Sequence, residues 1–479
     1  MIKTAIDDSG FRRGRKFLAG AAVLALAACT SDDDSGDRPQ LAAFNAVPDV
    51  AEITFLREDE VWSDLSYGSA TSFREVDAEE YTVNFETLLP DDDTTVCEGD
   101  IDDDEINDDD ECTRIGSVSL NLVSDTEYVV AILGRFENLR VQVYDKPIHE
   151  FDTDDTETDG DPEDENMEVQ FFNWLDQELD VYLEPPGTNL SPVQVRATLN
   201  TGDEFNMLVD KGDYVLTLTT VGDPSDALFT SEDVELFRQT SVAFAFIEAP
   251  LSATNPIEVT MFRDLGGKLL DRRSETELRA AHTSTIIGAV DIYAEGDFSV
   301  PLFSDLAVNQ VTDYLVVDPA AIDDLQLDIT PAGNPSGLVA REIIRLDEGD
   351  RYTFYMIDES INSVDGLTVQ DRFRRLFHYA ELRLINSFGA DLDFYVVPAG
   401  DNIFTSTPLA TLSVGTAGSL LVLEPGTYDV VLARRGTDIF VFGPEEVRLD
   451  GSGAYTLVSV ATADTTTADV ILLDDFTEQ

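Results

Sequence analysis

Cys97 and Cys112 bracket residues 91–112 (DDDTTVCEGDIDDDEINDDDEC), a segment with 13 acids and no base. Inside it Asp100, Asp102, Asp104, Asp108 and Glu111 stand at positions 1, 3, 5, 9 and 12 of an EF-hand-like loop. Carboxylates spaced in this way offer the hard oxygen ligands that calcium takes. Position 6 is Glu105, where such a loop needs glycine for its sharp turn, and position 8 is Asn107 instead of an apolar residue. Ordered calcium, diffuse cation binding and a plain solvated loop therefore all stay open. A second segment, residues 150–168, has 11 acids and no base. It repeats part of the spacing with Asp155, Glu157, Asp159 and Gly160, but has Asn166 where the bidentate acid belongs. In an oxidising compartment Cys97 and Cys112 should pair, with two free thiols as the alternative. Closing a loop of that size contributes roughly 3 kcal/mol in the chain-entropy account. No histidine or third cysteine stands near them to make a zinc set.

Catalytic chemistry is not nominated. The three histidines, His149, His282 and His378, are far apart in sequence, and neither HExxH nor a GxSxG elbow occurs. Paired carboxylates for glycoside hydrolysis are expected by number alone in so acidic a chain. No catalytic or cofactor-binding residue is assigned. Trp62 and Trp174 could stack on sugars, but two unaligned tryptophans fit core or edge positions as well.

The third cysteine, Cys29, closes the run Leu26-Ala27-Ala28-Cys29. Before it come a basic cluster, Arg12, Arg13, Arg15 and Lys16, and an apolar stretch from Phe17 to Ala28. This order is that of a secretory signal, and the apolar stretch is shorter than the roughly 20 residues a membrane-spanning helix needs. It resembles a bacterial lipoprotein precursor, which implies that Cys29 becomes the lipidated first residue of the mature chain. The Arg12-Arg13 pair faintly resembles a twin-arginine export signal, with departures in spacing. Thr30 follows Cys29 in place of an aspartate, which by resemblance to enterobacterial sorting favours the outer membrane. Residues 29–40 then read as an acidic tether.

Acids outnumber bases 96 to 30 in 479 residues, and only five of the bases are lysines. Such a surface repels nucleic acid and anionic headgroups, and suits a salty medium in which repulsion is screened. The chain beyond the leader is long enough for about three or four domains.

One pattern recurs four times: 41–56, 169–184, 278–295 and 382–397. A strand ends in Asn45, Asn173 or Asn386 (His282-Thr283 in the third copy), and a second strand carries Phe55, Tyr182, Tyr293 or Tyr395. Asp180, Asp291 and Asp393 precede that aromatic by two. The repeated Asn and Asp either form a ligand-binding rim or bond neighbouring backbone at turns. Later strands follow Gly-x-Tyr turns, as in Gly212-Asp-Tyr214 and Gly426-Thr-Tyr428, where the tyrosine hydroxyl can reach backbone at the corner. Short alternating strands between such turns predict four tandem Ig-like antiparallel β-sandwiches. Short helices are expected at Arg272–Ala281 and Val369–Leu382, joining the later repeats.

Asn45-Ala-Val-Pro48-Asp49, Tyr67-Gly68, Asp393-Phe-Tyr395 and Pro425-Gly426-Thr-Tyr428 resemble the markers of the domain-of-unknown-function 4397 family. The resemblance covers most of residues 41–476 and implies secreted or surface-anchored sandwich modules, without a reaction. The resulting layout is signal peptide 1–28, tether 29–40, repeat one 41–149 with the acidic loop 91–112, acidic linker 150–168, repeat two 169–270, repeat three 271–379 and repeat four 380–479. The expected role is a non-catalytic cell-envelope lipoprotein that binds, adheres or acts as a spacer built of stacked, self-sufficient modules. Its expected partners are the membrane through the lipid, envelope proteins or polysaccharide, and not nucleic acid. Alternatives are a calcium-dependent polysaccharide- or matrix-binding protein and an extracytoplasmic glycan hydrolase.

Overall fold

The computed structural model describes residues 38–88, 112–149, 166–250, 255–317, 325–360, 363–462 and 466–475. The chain is all-β, and the described strands form eight sheets that pair into four sandwiches. In the first sandwich one sheet runs Arg74–Glu75, Gln40–Ala46, Thr126–Leu133, Arg140–Pro147. The facing sheet runs Glu60–Ser66, Glu52–Arg57, Glu80–Leu88, Cys112–Asn121. The same order returns three times. Each first sheet is centred on a pair of strands: Asn166–Asn173 with Ser241–Glu248, Glu277–His282 with Arg351–Ser360, and Ala380–Asn386 with Ala454–Ala461. Those central pairs, and Gln40–Ala46 with Thr126–Leu133, are parallel, while the remaining strand pairs are antiparallel. Parallel neighbours need a long crossover, and here the whole second sheet supplies it.

The tyrosines at the turns, most of them after a glycine, behave as the sequence predicts. Tyr214 and Tyr428 donate to Asp210 O and Glu424 O. Tyr128, Tyr352 and Tyr455 accept from the backbone N–H of Val123, Asp347 and Asp450. Each ring thus packs at the sandwich edge while its hydroxyl holds the corner.

The two expected helices do not form, and no α-helix occurs among the described residues. Residues 277–282 are a strand, in which Leu278 and Ala280 enter the core of the third sandwich while Arg279 faces away. That is a period of two, which a helix cannot satisfy. Residues 371–379 run irregularly between strands Ser363–Gln370 and Ala380–Asn386, with Phe373 and Leu376 as buried anchors.

The modules are not stacked end to end as separate beads. The central strands are buried on both faces, which is why they read as almost continuous apolar runs. Val130 and Ile132 fill the first module's own core, while Val129, Ala131 and Leu133 join a cluster shared with Phe172, Trp174, Ala243 and Ala245 of the second. The third and fourth modules share Tyr355, Ile357, Ile385, Val458 and Val460 in the same way. The modules therefore pack sheet against sheet in two pairs, one-with-two and three-with-four. The first interface is aromatic. Phe44 and Trp174 lie 4.3 Å apart, Phe172 stacks on Trp174 at 5.1 Å, and Trp174 Nε1 donates to Tyr144 Oη at 2.8 Å.

Candidate functional site

The repeated polar residues have found backbone partners. Asn45 Nδ2 donates to Leu65 O and its Oδ1 accepts from Val47 N. Asn173 makes the same pair of bonds with Leu199 O and Leu175 N, and Asn386 with Leu412 O and Phe388 N. Asp180, Asp291 and Asp393 accept from the N–H of Gly222, Gly333 and Gly436, which have φ of 76°, 71° and 68°. Each carboxylate pins a left-handed hairpin glycine to the strand that opens its sheet. These are turn locks rather than a ligand-binding rim.

The histidines are not brought together as a site. His282 is fully buried where the other copies have asparagine; its Nε2 meets Gly288 O at 2.9 Å and its Nδ1 has no partner. Burial pushes its pKa down, against a smaller upward pull from the Gly288 carbonyl and Asp358. His378 sits at φ 61° beside the Phe377 ring, and His149 lines a cleft described below. Trp174 is an interface residue. Trp62 is flanked by Phe55 at 5.1 Å and by the guanidinium groups of Arg57 and Arg74.

Cys29, Cys97, Asp100, Asp102, Asp104, Asp108 and Glu111 lie outside the described residues, as do Asp155, Glu157, Asp159 and Gly160. Cys112 opens the strand Cys112–Asn121. Among the described residues no group of three His, Cys, Asp or Glu is placed to hold a metal ion. Nor is any helix there long and apolar enough to cross a membrane.

Buried ion pairs bridge the module interfaces. Lys146 of the first module lies 2.8 Å from Glu127 and 2.6 Å from Glu168 of the second. Arg263 reaches the same two carboxylates at 2.7 and 3.4 Å and covers the Phe73 ring. Two cations thus face two acids across a buried seam. In the other pair Arg279 binds Asp475, and Arg383 binds Asp371. Asp371 is also held by Thr353 and Tyr314, and Asp475 by Thr456. Charge pairs this buried fix register between the sheets more than they add net stability.

Above the first seam opens a cleft of about 900 Å³. Residues 67–73 of the first module form one wall, and the hairpin 257–268 of the second forms the other. Arg372, from the irregular stretch before module four, closes the rim and also lines an adjoining recess of about 140 Å³ with Tyr67, Glu258 and Arg374. That stretch is held in place by module one. Arg374 donates to the carbonyls of Val50 and Ala51, Phe377 stacks on Phe136 at 4.6 Å, and Phe377 N donates to Asp49 O. Tyr67 Oη donates to Glu248 O. Its pKa is raised well above the ordinary value, by burial first and then by Glu258 and Glu248, so it remains a neutral hydroxyl.

Of the residues lining the cleft, Tyr67, Gly68 and His149 stood out in the sequence, none of them as part of a binding site. One signal was available: Arg372, Arg374 and Arg375 crowd into four residues of a chain with only 30 bases. A helix assignment hid it.

No protein-family model matches the chain, and no curated protein matches it. Among solved structures the chain is similar to the Bacillus anthracis TIE protein, at 10% identity and a TM-score of 0.14, covering 91% of this chain and 76% of that one. It is also similar to the T6 backbone pilin of serotype M6 Streptococcus pyogenes, at 9% identity and a TM-score of 0.12, covering 62% and 83%. The sandwich assignment rests on the sheet topology itself.

Proposed function

We propose that this chain is a non-catalytic cell-envelope protein, anchored by lipid on Cys29, which binds a ligand between its first two sandwiches and uses the paired modules as a stiff support. The observation that carries this reading is the division of the polar residues. The repeated Asn and Asp lock turns, and the buried charges at the interfaces are paired. The cleft, in contrast, keeps polar side chains without protein partners where three segments of the chain meet. Binding sites favour such concave junctions between modules.

The envelope location rests on the Leu26-Ala27-Ala28-Cys29 run that closes the signal and on Thr30 after Cys29, and the resemblance to the domain-of-unknown-function 4397 family belongs to the same reading. Cys29→Ala should move the protein from the membrane to the soluble fraction; continued membrane association would remove the anchor. For the binding role, the chain is applied to a glycan array beside Ser72→Trp, which places a bulky ring at an exposed position of the cleft wall. Retention of at least one glycan class by the native chain, lost in Ser72→Trp at unchanged melting, is the expected result. Retention of none would leave only the spacer role.

A further inference from the structure

The charges of the cleft are unusual for this molecule. In a chain of net charge −66, the cleft and its adjoining recess bring together Arg263, Lys268, Arg372 and Arg374 against Glu127, Glu258 and Asp264. Three of the four cations are engaged. Arg263 is paired with Glu127 and Glu168, Lys268 with Glu258 at 2.5 Å, and Arg374 with backbone carbonyls. Arg372 is exposed and takes no ion pair or hydrogen bond among the described residues. Against the larger raising effect of burial, it lowers the Asp350 pKa electrostatically. Gln40 and Ser72, on the same cleft, likewise leave a carboxamide and a hydroxyl without protein partners there.

We infer that the cleft binds an acidic saccharide of the uronic-acid type, its carboxylate on the Arg372 guanidinium and its ring hydroxyls on Gln40 and Ser72. The inference rests on the binding reading above and names its ligand class. A guanidinium pairs with a carboxylate through two parallel N–H···O bonds, so one arginine suffices for a single negative charge. A doubly charged phosphate would meet Glu258 and Asp264 with only one free cation to offset them. A neutral sugar would leave the one free guanidinium of the cleft unused. The volume falls in the range of about 300–1,000 Å³ usual for ligand sites. The tight seam beneath holds both walls in place, so little ordering is needed on binding.

The test is calorimetric titration of the full chain with an aldotriouronic acid, a trisaccharide carrying one carboxylate, and with the neutral trisaccharide of the same linkage, repeated for Arg372→Gln and Arg372→Lys. The native chain should bind the aldotriouronic acid in preference. Arg372→Gln should weaken that binding about tenfold to a hundredfold, the value of a hydrogen bond to a charged group. Arg372→Lys should recover part of it. Because Arg372 is exposed, its replacement should leave melting unchanged. Equal binding of both oligosaccharides, unaffected by Arg372→Gln, would overturn the acidic-ligand inference while leaving a sugar-binding cleft. Absence of heat with either, from a chain that melts normally, would overturn the saccharide assignment and leave other ligand classes to the binding reading.

Discussion

Arg279 and Asp475, 196 residues apart in the chain, are joined by a 2.5 Å charge-assisted hydrogen bond across the seam between the third and fourth sandwiches. Arg383 and Asp371 repeat the contact in the opposite sense at 3.0 Å. Arg279 and Arg383 sit on the opening strands of their modules, opposite Thr353 and Thr456. Those threonines hold the aspartate of their own module, while each arginine reaches the other module's aspartate. The two modules therefore meet as the halves of a two-fold pair within one chain, the self-complementary arrangement of an isologous dimer.

Removing one member of this quartet leaves a buried charge without compensation. Arg383→Met should lower stability by about 3–5 kcal/mol in chemical denaturation. Adding Asp371→Leu to it should restore only part of the loss: an apolar pair can replace a buried ion pair, but the Thr353 and Tyr314 hydroxyls then lose their acceptor. A single-variant loss under about 1 kcal/mol, the range of exposed pairs, would show that the quartet is solvated.

Gly68 and Gly415 are each pressed against an isoleucine of the partner module. At φ +73°, a Cβ on Gly68 would stand 2.9 Å from Ile247 Cδ1; at φ +66°, one on Gly415 would stand 2.5 Å from Ile357 Cδ1. Gly415→Ala should cost about 1–2 kcal/mol for the left-handed backbone alone, with overpacking adding about 1–3 kcal/mol. Ile357→Val removes the clashing methyl and should return only the overpacking part. A double-mutant cycle measures that coupling, and strict additivity of the two changes would mean the modules do not close this tightly.

The turn locks make a similar prediction for single modules. Asp393→Ala strips acceptors from Gly436 N and Thr411 Oγ1, 2.7 Å away in each case. About 1–3 kcal/mol should be lost, because two hydrogen bonds to a charged acceptor disappear. Asp393→Asn keeps one acceptor oxygen and should cost less. Equal melting of all three proteins would mean that water replaces the carboxylate without loss.

How far the molecule could be read in advance follows from these residues. Asn45, Asp180 and Tyr428 act within one module and at fixed spacings, so a repeat of type and distance exposes them. The all-β fold rested on the same local signals. Arg279 and Asp475 act through a surface that exists only once two modules meet, and nothing local distinguishes the buried Arg279 from an arginine on an exposed strand face. Its neighbours Leu278 and Ala280 alternate correctly for a strand, yet the run from Arg272 to Ala281 is also polar enough to be taken as a helix. The cleft was hidden for the same reason, since its walls come from residues 67–73, 257–268 and 372. Sequence separation conceals such a site until packing brings the segments together.

His282 gives the third sandwich a pH dependence of its own. Burial lowers its pKa from the ordinary 6.5, so the folded chain binds this proton less readily than the unfolded one. Stability from this group is therefore intact above about 6.5 and falls as the pH drops below it, until the folded-state pKa is reached. His282→Asn restores the residue that the other copies carry, and should flatten the slope of stability against pH between about 6.5 and 5. An unchanged slope would show that His282 does not carry this pH dependence; Glu381 and Asp49, whose pKa values burial raises, could not supply it either. Raised carboxyl values act in the opposite direction, favouring the fold as the pH falls, so the two contributions can be told apart by sign.

Arg374 links the pair of modules three and four to module one, and its loss should be read in shape more than in stability. The guanidinium donates to the carbonyls of Val50 and Ala51 at 3.0 Å each, with Pro48 O at 3.4 Å, and covers the Tyr67 ring. A planar fork can serve several carbonyls at once, whereas an ammonium acts as a point charge. Arg374→Ala combined with Phe377→Ala removes the fork and the stack on Phe136, while leaving the seams within each pair untouched. Small-angle scattering should then show a larger radius of gyration, with little change in the melting of the modules themselves. Arg374→Lys should fall between the two. If the double variant scatters as the native chain does, the strands at 267–282 that run from module two into module three hold the pairs together without the clamp. Arg372 would then keep its place on the rim of the cleft without help from Arg374, and saccharide binding should survive the double variant. If the radius increases, the same variant should lose ligand affinity even though Arg372 itself is intact, because the rim of the cleft leaves with the stretch that carries it.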